Sequence, residues 1–124
     1  LFRRARHVVS ELDRVGPIGV ALARGDTATL SQVMREAHLS LSEDFDVSLP
    51  PIDRLAQMVG ESIGEAGGVR LTGAGFGGCL VTVAHREAGE AIDEAISRYN
   101  VEADLPARAD IFRPTSGAAT ILIE

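Results

Sequence analysis

The chain has no lysine and no tryptophan, a single cysteine, and only one tyrosine and four phenylalanines in 124 residues. With every basic residue an arginine, it holds neither a P-loop lysine nor a Schiff-base lysine. One cysteine, Cys79, excludes an intrachain disulfide framework and fits a reducing compartment. So few aromatic residues leave the core to aliphatic side chains. A net charge of −6 argues against a broad nucleic-acid footprint, which needs a basic face. No apolar run approaches the roughly 20 residues of a membrane span, and no signal-peptide pattern is present. A cytoplasmic location with no membrane or nucleic-acid partner is therefore expected. The 45% hydrophobic and 24% charged content is that of a soluble globular protein, and the length suits one domain over residues 1–124.

Glycine, by contrast, is concentrated. Leu71-Thr72-Gly73-Ala74-Gly75-Phe76-Gly77-Gly78-Cys79 carries four glycines within six residues, and the apolar run Leu80-Val81-Thr82-Val83-Ala84 follows. Glycine costs backbone entropy, so such a cluster implies dihedrals or close approaches that side chains forbid. Successive N–H groups in such a turn make a concave anion site. The segment reads as strand, glycine loop, strand, with the loop facing a phosphate or a phosphate-binding neighbour. The plain alternative is a tight hairpin with no ligand, but a hairpin needs one or two glycines. The loop lacks the lysine and Ser/Thr of a Walker A motif, and a β-type run follows it where a dinucleotide fingerprint would start a helix. Phosphate contact would then fall to backbone N–H groups, with the Thr72 hydroxyl as a possible addition.

Around this loop the pattern predicts four helices. Ala5, Val8, Leu12, Val15, Ile18 and Leu22 make an apolar stripe, with a kink or break expected near Val15 because Gly16-Pro17 interrupts it. Arg3, Arg4 and Arg6 are ill placed at a helix N-terminus. The helix is therefore expected to begin upstream, in a longer protein of which this is the C-terminal part. Gly25-Asp26 ends the element, and Asp26 or Thr27 caps the next, whose stripe is Leu30, Val33, Met34, Ala37 and Leu41. An acidic linker, Glu43 to Pro50, precedes a third helix with Pro51 in its first turn. Its stripe is Ile52, Leu55, Ala56, Val59 and Ile63, closed by Gly64 and Gly67-Gly68. Ala88, Ala91, Ile92, Ala95, Ile96 and Tyr99 mark a fourth. Strands are expected at Val69–Thr72, Leu80–Ala84, Ala109–Phe112 and Ala118–Ile123. Segregated helices and strands give an α+β class with a mainly antiparallel four-stranded sheet.

Other candidates are weaker. Cys79 as a nucleophile would need His7, His38 or His85 beside it, and nothing in the sequence places one there. At the head of an apolar strand it reads as a small buried hydrophobe. His38 would need Glu43 or Asp44 on its face to bind metal, and a solvated or locally hydrogen-bonded role is simpler. The run Glu43, Asp44, Asp46 lacks calcium-loop spacing and reads as solvated surface. Arg3, Arg4 and Arg6 fit cross-domain salt bridges better than a phosphate site. No catalytic residue and no metal ligand is assigned within the chain.

Val69-Arg70-Leu71-Thr72-Gly73-Ala74-Gly75-Phe76-Gly77-Gly78-Cys79 resembles the third signature motif of the GHMP small-molecule kinases, and its Gly-Phe-Gly-Gly-Cys variant is most similar to the galactokinase branch. Arg4-Ala5-Arg6-His7-Val8, Gly25-Asp26, Glu36 to Leu41, Asp44 to Ser48, Pro51 to Leu55 and Pro114 to Ala118 resemble the same C-terminal region in order. The resemblance implies a ferredoxin-like C-terminal domain whose N-terminal partner domain lies outside this chain. It also implies transfer of the γ-phosphoryl group of MgATP to the 1-hydroxyl of α-D-galactose in a cleft between the domains. ATP and Mg2+ would be held mainly by the absent domain. Thr72, Gly73, Ala74, Gly75, Phe76, Gly77 and Gly78 would support its phosphate loop, with Cys79 anchoring the return strand. The fragment alone would be inactive. Two departures stand out: Ala74 where many relatives have glycine, and Ser42-Glu43 in place of a more basic pair. The alternatives are a sibling sugar kinase acting on arabinose or galacturonate and, in another class, a stand-alone ferredoxin-like binding module.

Overall fold

The computed structural model of the chain describes residues 1–117. Four helices, α1 (Phe2–Arg24), α2 (Thr27–Leu39), α3 (Pro50–Ile63) and α4 (Gly89–Glu102), surround a hairpin of β1 (Gly67–Thr72) and β2 (Cys79–Ala84). A π-helical turn, Ser40–Phe45, extends α2. The strands are antiparallel, in a register that sets Leu71 opposite Leu80 and Thr72 opposite Cys79. No helix among the described residues is long and apolar enough to cross a membrane.

Local chemistry accounts for most boundaries. Gly25 ends α1 in the left-handed conformation, φ 65°, which glycine reaches without a Cβ penalty. Asp26 caps α2 by accepting from the Thr29 N–H at 3.0 Å. Two prolines occupy the start of α3, where their missing N–H groups have no helical partner to lose. The stripes expected on α2, α3 and α4 line the core. Val59, Ile63, Val69, Ala88 and Ala95 form one buried cluster, extended by Leu80 and Ile92. Leu41, Val47 and Leu71 form a second, directly under the glycine loop.

Four expectations change. Gly67 and Gly68 begin β1 instead of closing α3. A Cβ on Gly68 would lie 2.6 Å from the Leu30 carbonyl oxygen, so α2 can rest on β1 only over a bare backbone. The sheet has two strands among the described residues, not four. Residues 109–112 run without regular structure, with Ile111 and Phe112 exposed. The Asn100 side chain clasps both backbone groups of Ala107 and ends α4 in a turn. An extended segment gains little without a neighbour to complete its hydrogen bonds. The strand expected at 118–123 lies outside the described residues. Third, α1 continues through Pro17. Proline removes the bond to the Asp13 carbonyl, but both residues are exposed, so that carbonyl is open to solvent and the lost bond costs little.

The fourth change concerns the face α1 turns inward. Val8, Leu12, Val15 and Leu22 of its apolar stripe are 52%, 70%, 68% and 51% exposed. The domain is met by His7, Ser10, Glu11, Arg14 and Ala21, on a face centred about a third of a turn away, and of the stripe only Ile18, at its edge, is partly covered. Polar groups make this seam. Arg6 pairs with Asp44, His7 Nδ1 lies 2.9 Å from Ser40 Oγ and stacks on Phe45, and Arg70 of β1 meets Glu11 at 2.9 Å. Arg3 and Arg4 donate to the carbonyls of Glu43 and Phe45, which the end of the π-helical turn leaves without helical partners. The three arginines thus act within the domain. Asp44, expected at the solvated surface, is buried. The hydrogen bond and charge of Arg6 hold its carboxyl below the usual range against the opposing effect of desolvation. Desolvation pushes the Glu11 carboxyl up, but Arg70 and Arg14 together outweigh it and leave it lowered.

Candidate functional site

The loop between the strands has a backbone that few sequences could adopt. Gly73 (φ 84°), Gly75 (83°), Phe76 (56°), Gly77 (128°) and Gly78 (91°) all lie at positive φ. Glycine relieves four of these positions. Phe76 is held there at a cost, on the order of 1–2 kcal/mol, and the residue is 69% exposed. Thr72 ends β1 and Ala74 follows Gly73, both exposed. Cys79 opens β2 and is exposed too, contrary to its expected burial, because nothing among the described residues covers that end of the strand.

The glycines divide into two kinds. Around Gly73, Gly77 and Gly78 the space where a side chain would start is open, so only the dihedral requires glycine. Gly75 differs: a Cβ there would come 2.6 Å from Val47 Cβ and closer still to the Val47 carbonyl. Its neighbour Phe76 donates its N–H to that carbonyl at 2.7 Å. The bare backbone at Gly75 therefore fits the loop against the segment after the π-helical turn, while Gly73, Gly77 and Gly78 line its open side. A valine at Gly75 would displace Val47, so its effect would include a packing cost as well as any loss of ligand approach.

Beside the loop, α2 and α3 bring His38 together with Asp53, Ser42 and Ser48. His38 is buried, accepts the Leu71 N–H on Nδ1 at 3.1 Å and lies 3.0 Å from Asp53 Oδ1 through Nε2. Those partners assign the proton to Nε2. Asp53 also accepts from Ser42 Oγ at 2.8 Å and Ser48 Oγ at 2.5 Å. His38 is thus locally hydrogen-bonded. Among the described residues no group of three His, Cys, Asp or Glu side chains is placed to hold a metal ion. Cys79, His7 and His38 form no common site: His7 is bound to Ser40 and His38 to Asp53 and Leu71.

A family model described as GHMP kinases C terminal matches residues 20–102, a span that includes the glycine loop, both strands and α2 to α4. The chain belongs to this family. Membership in the GHMP kinase C-terminal family makes a kinase of that superfamily the function class, and the α+β arrangement is consistent with such a domain. The match ends before residues 103–117 and begins near the last turns of α1.

Proposed function

We propose that this GHMP kinase C-terminal domain is part of a galactokinase, which transfers the γ-phosphoryl group of MgATP to the 1-hydroxyl of α-D-galactose. The observation that carries the reading is the glycine loop: a run of positive-φ residues whose open side, at Gly73, Gly77 and Gly78, leaves main-chain amides free of side-chain cover. The Gly-Phe-Gly-Gly-Cys form of the motif favours the galactose branch. ATP supplies the phosphoryl group and Mg2+ neutralises its charge, both held mainly by an N-terminal domain. The contribution of this chain is to set the height of the loop against that domain. Phosphoryl transfer depends on positioning and charge, so a loop that only positions has catalytic consequence.

A substrate panel on the full-length protein tests this. Galactose is expected to be phosphorylated in preference to arabinose and galacturonate. Turnover of either of those without galactose would replace the sugar. ATP turnover with none of these sugars phosphorylated would remove the sugar-kinase reading.

A further inference from the structure

We infer that His38 and Asp53 are positioning residues for the glycine loop, fixing its base and its crown through one hydrogen-bonded ring. The ring begins at Leu71, the last buried residue of β1, whose N–H enters His38 Nδ1. His38 Nε2 donates to Asp53, and Ser48 donates to the same carboxylate oxygen. Ser48 is joined by its peptide bond to Val47, whose carbonyl receives the Phe76 N–H. The loop itself, from Phe76 back to Leu71, closes the ring. Ser42 braces Asp53 on its second oxygen.

Each residue type follows from its place. A neutral imidazole offers an acceptor and a donor on opposite sides of one rigid ring, and this site needs both. Asp53 receives three donors, which a carboxylate satisfies and an amide, with one acceptor oxygen, does not. Asp46 turns the chain at φ 64°, bringing Val47 and Ser48 back toward the loop. The buried Leu41–Val47–Leu71 cluster backs the inner end of the ring, at Leu71 and His38, while the Asp53 carboxylate stays partly open to solvent. Three segments that the sequence leaves without a task, Glu36 to Leu41, Asp44 to Ser48 and Pro51 to Leu55, therefore converge on one: they hold a loop whose own residues cannot hold themselves.

The ring is read from geometry alone. Its effect on phosphoryl transfer rests on the function proposed above. Amide hydrogen exchange in the full chain separates the two. His38→Leu should speed exchange about tenfold at Leu71 and several-fold at Phe76, five residues away, with α4 amides unchanged. Ser48→Ala, which deletes one hydroxyl, should speed exchange at Phe76 even if the histidine variant fails to fold. His38→Gln, which keeps an acceptor and a donor, should restore most of the protection. Wild-type exchange at Phe76 in both His38→Leu and Ser48→Ala would overturn the inference. In the kinase assay His38→Leu should lower kcat about tenfold or more at unchanged KM for sugar, with recovery in His38→Gln. A loosened loop with unchanged turnover would uphold the ring and overturn the loop's role in phosphoryl transfer.

Discussion

Helices α1 and α2 carry the same kind of apolar periodicity and meet opposite fates. On α2 the stripe is core: Leu30, Met34 and Ala37 are 3%, 4% and 0% exposed. On α1 the stripe, apart from Ile18, faces outward, and the helix attaches through ion pairs, a buried histidine and the small Ala21. The contrast lies in what each helix finds opposite it. Beneath α2 is the bare backbone of Gly68, which admits close apolar contact. Facing α1 are Arg70 and Asp44, which need charged or polar partners when desolvated. Periodicity shows that a helix has an apolar side. It does not show that this side is the covered one.

Experiments can widen or erase the contrast. The largest effect is expected from Gly68→Val, which forces α2 off β1 and should cost about 3 kcal/mol or more in urea unfolding. A loss near zero would mean that α2 does not rest on the strand. Next comes Met34→Ala on α2, expected at about 2–4 kcal/mol from the lost burial and the cavity left behind.

Acid should loosen α1 before α2. The Glu11 and Asp44 carboxyls are lowered in the folded state, so their contribution is present above the unfolded carboxylate pKa, about 4, and is lost as pH falls through the lower folded values. Amide protection relative to intrinsic exchange should therefore fall in α1 below about pH 4, while in α2 only the first turn, capped by the lowered Asp26 carboxyl, responds and the core stays protected. Asp44→Asn should flatten that response. Equal acid sensitivity of the two helices would show that the polar seam is not what holds α1.

The smallest effect is expected at Leu12→Ala, within about 0.5 kcal/mol, as for a surface site. Measured beside Met34→Ala, it is the most direct check of the contrast. If the two losses match, the stripe on α1 is covered in solution.

The candidate site was half legible. The loop itself could be read from Gly73, Gly75, Gly77 and Gly78, because glycine reaches such dihedrals without the cost that Phe76 bears among them. What holds it could not. His38, Asp53 and Ser48 are ordinary polar residues at unremarkable spacings, and their roles arise from the folding of α2 and α3 around Val47. The reason for Gly75 was also hidden, since it is an approach to Val47, 28 positions earlier in the chain. A weak signal for His38 was available: a lone histidine adjoining the apolar stripe of a helix needs partners if buried.

The amino-acid order alone specified the helix end at Gly25, a cap at Asp26 or Thr27, the proline start of α3, the apolar faces of α2 to α4 and the glycine turn, since each depends on neighbours a few residues apart. The three-dimensional arrangement decided which side of α1 is buried, which glycines serve contact and which serve dihedral freedom, and where the arginines find partners. These are matters of distant groups competing for the same desolvated space, and no local pattern records who their neighbours will be.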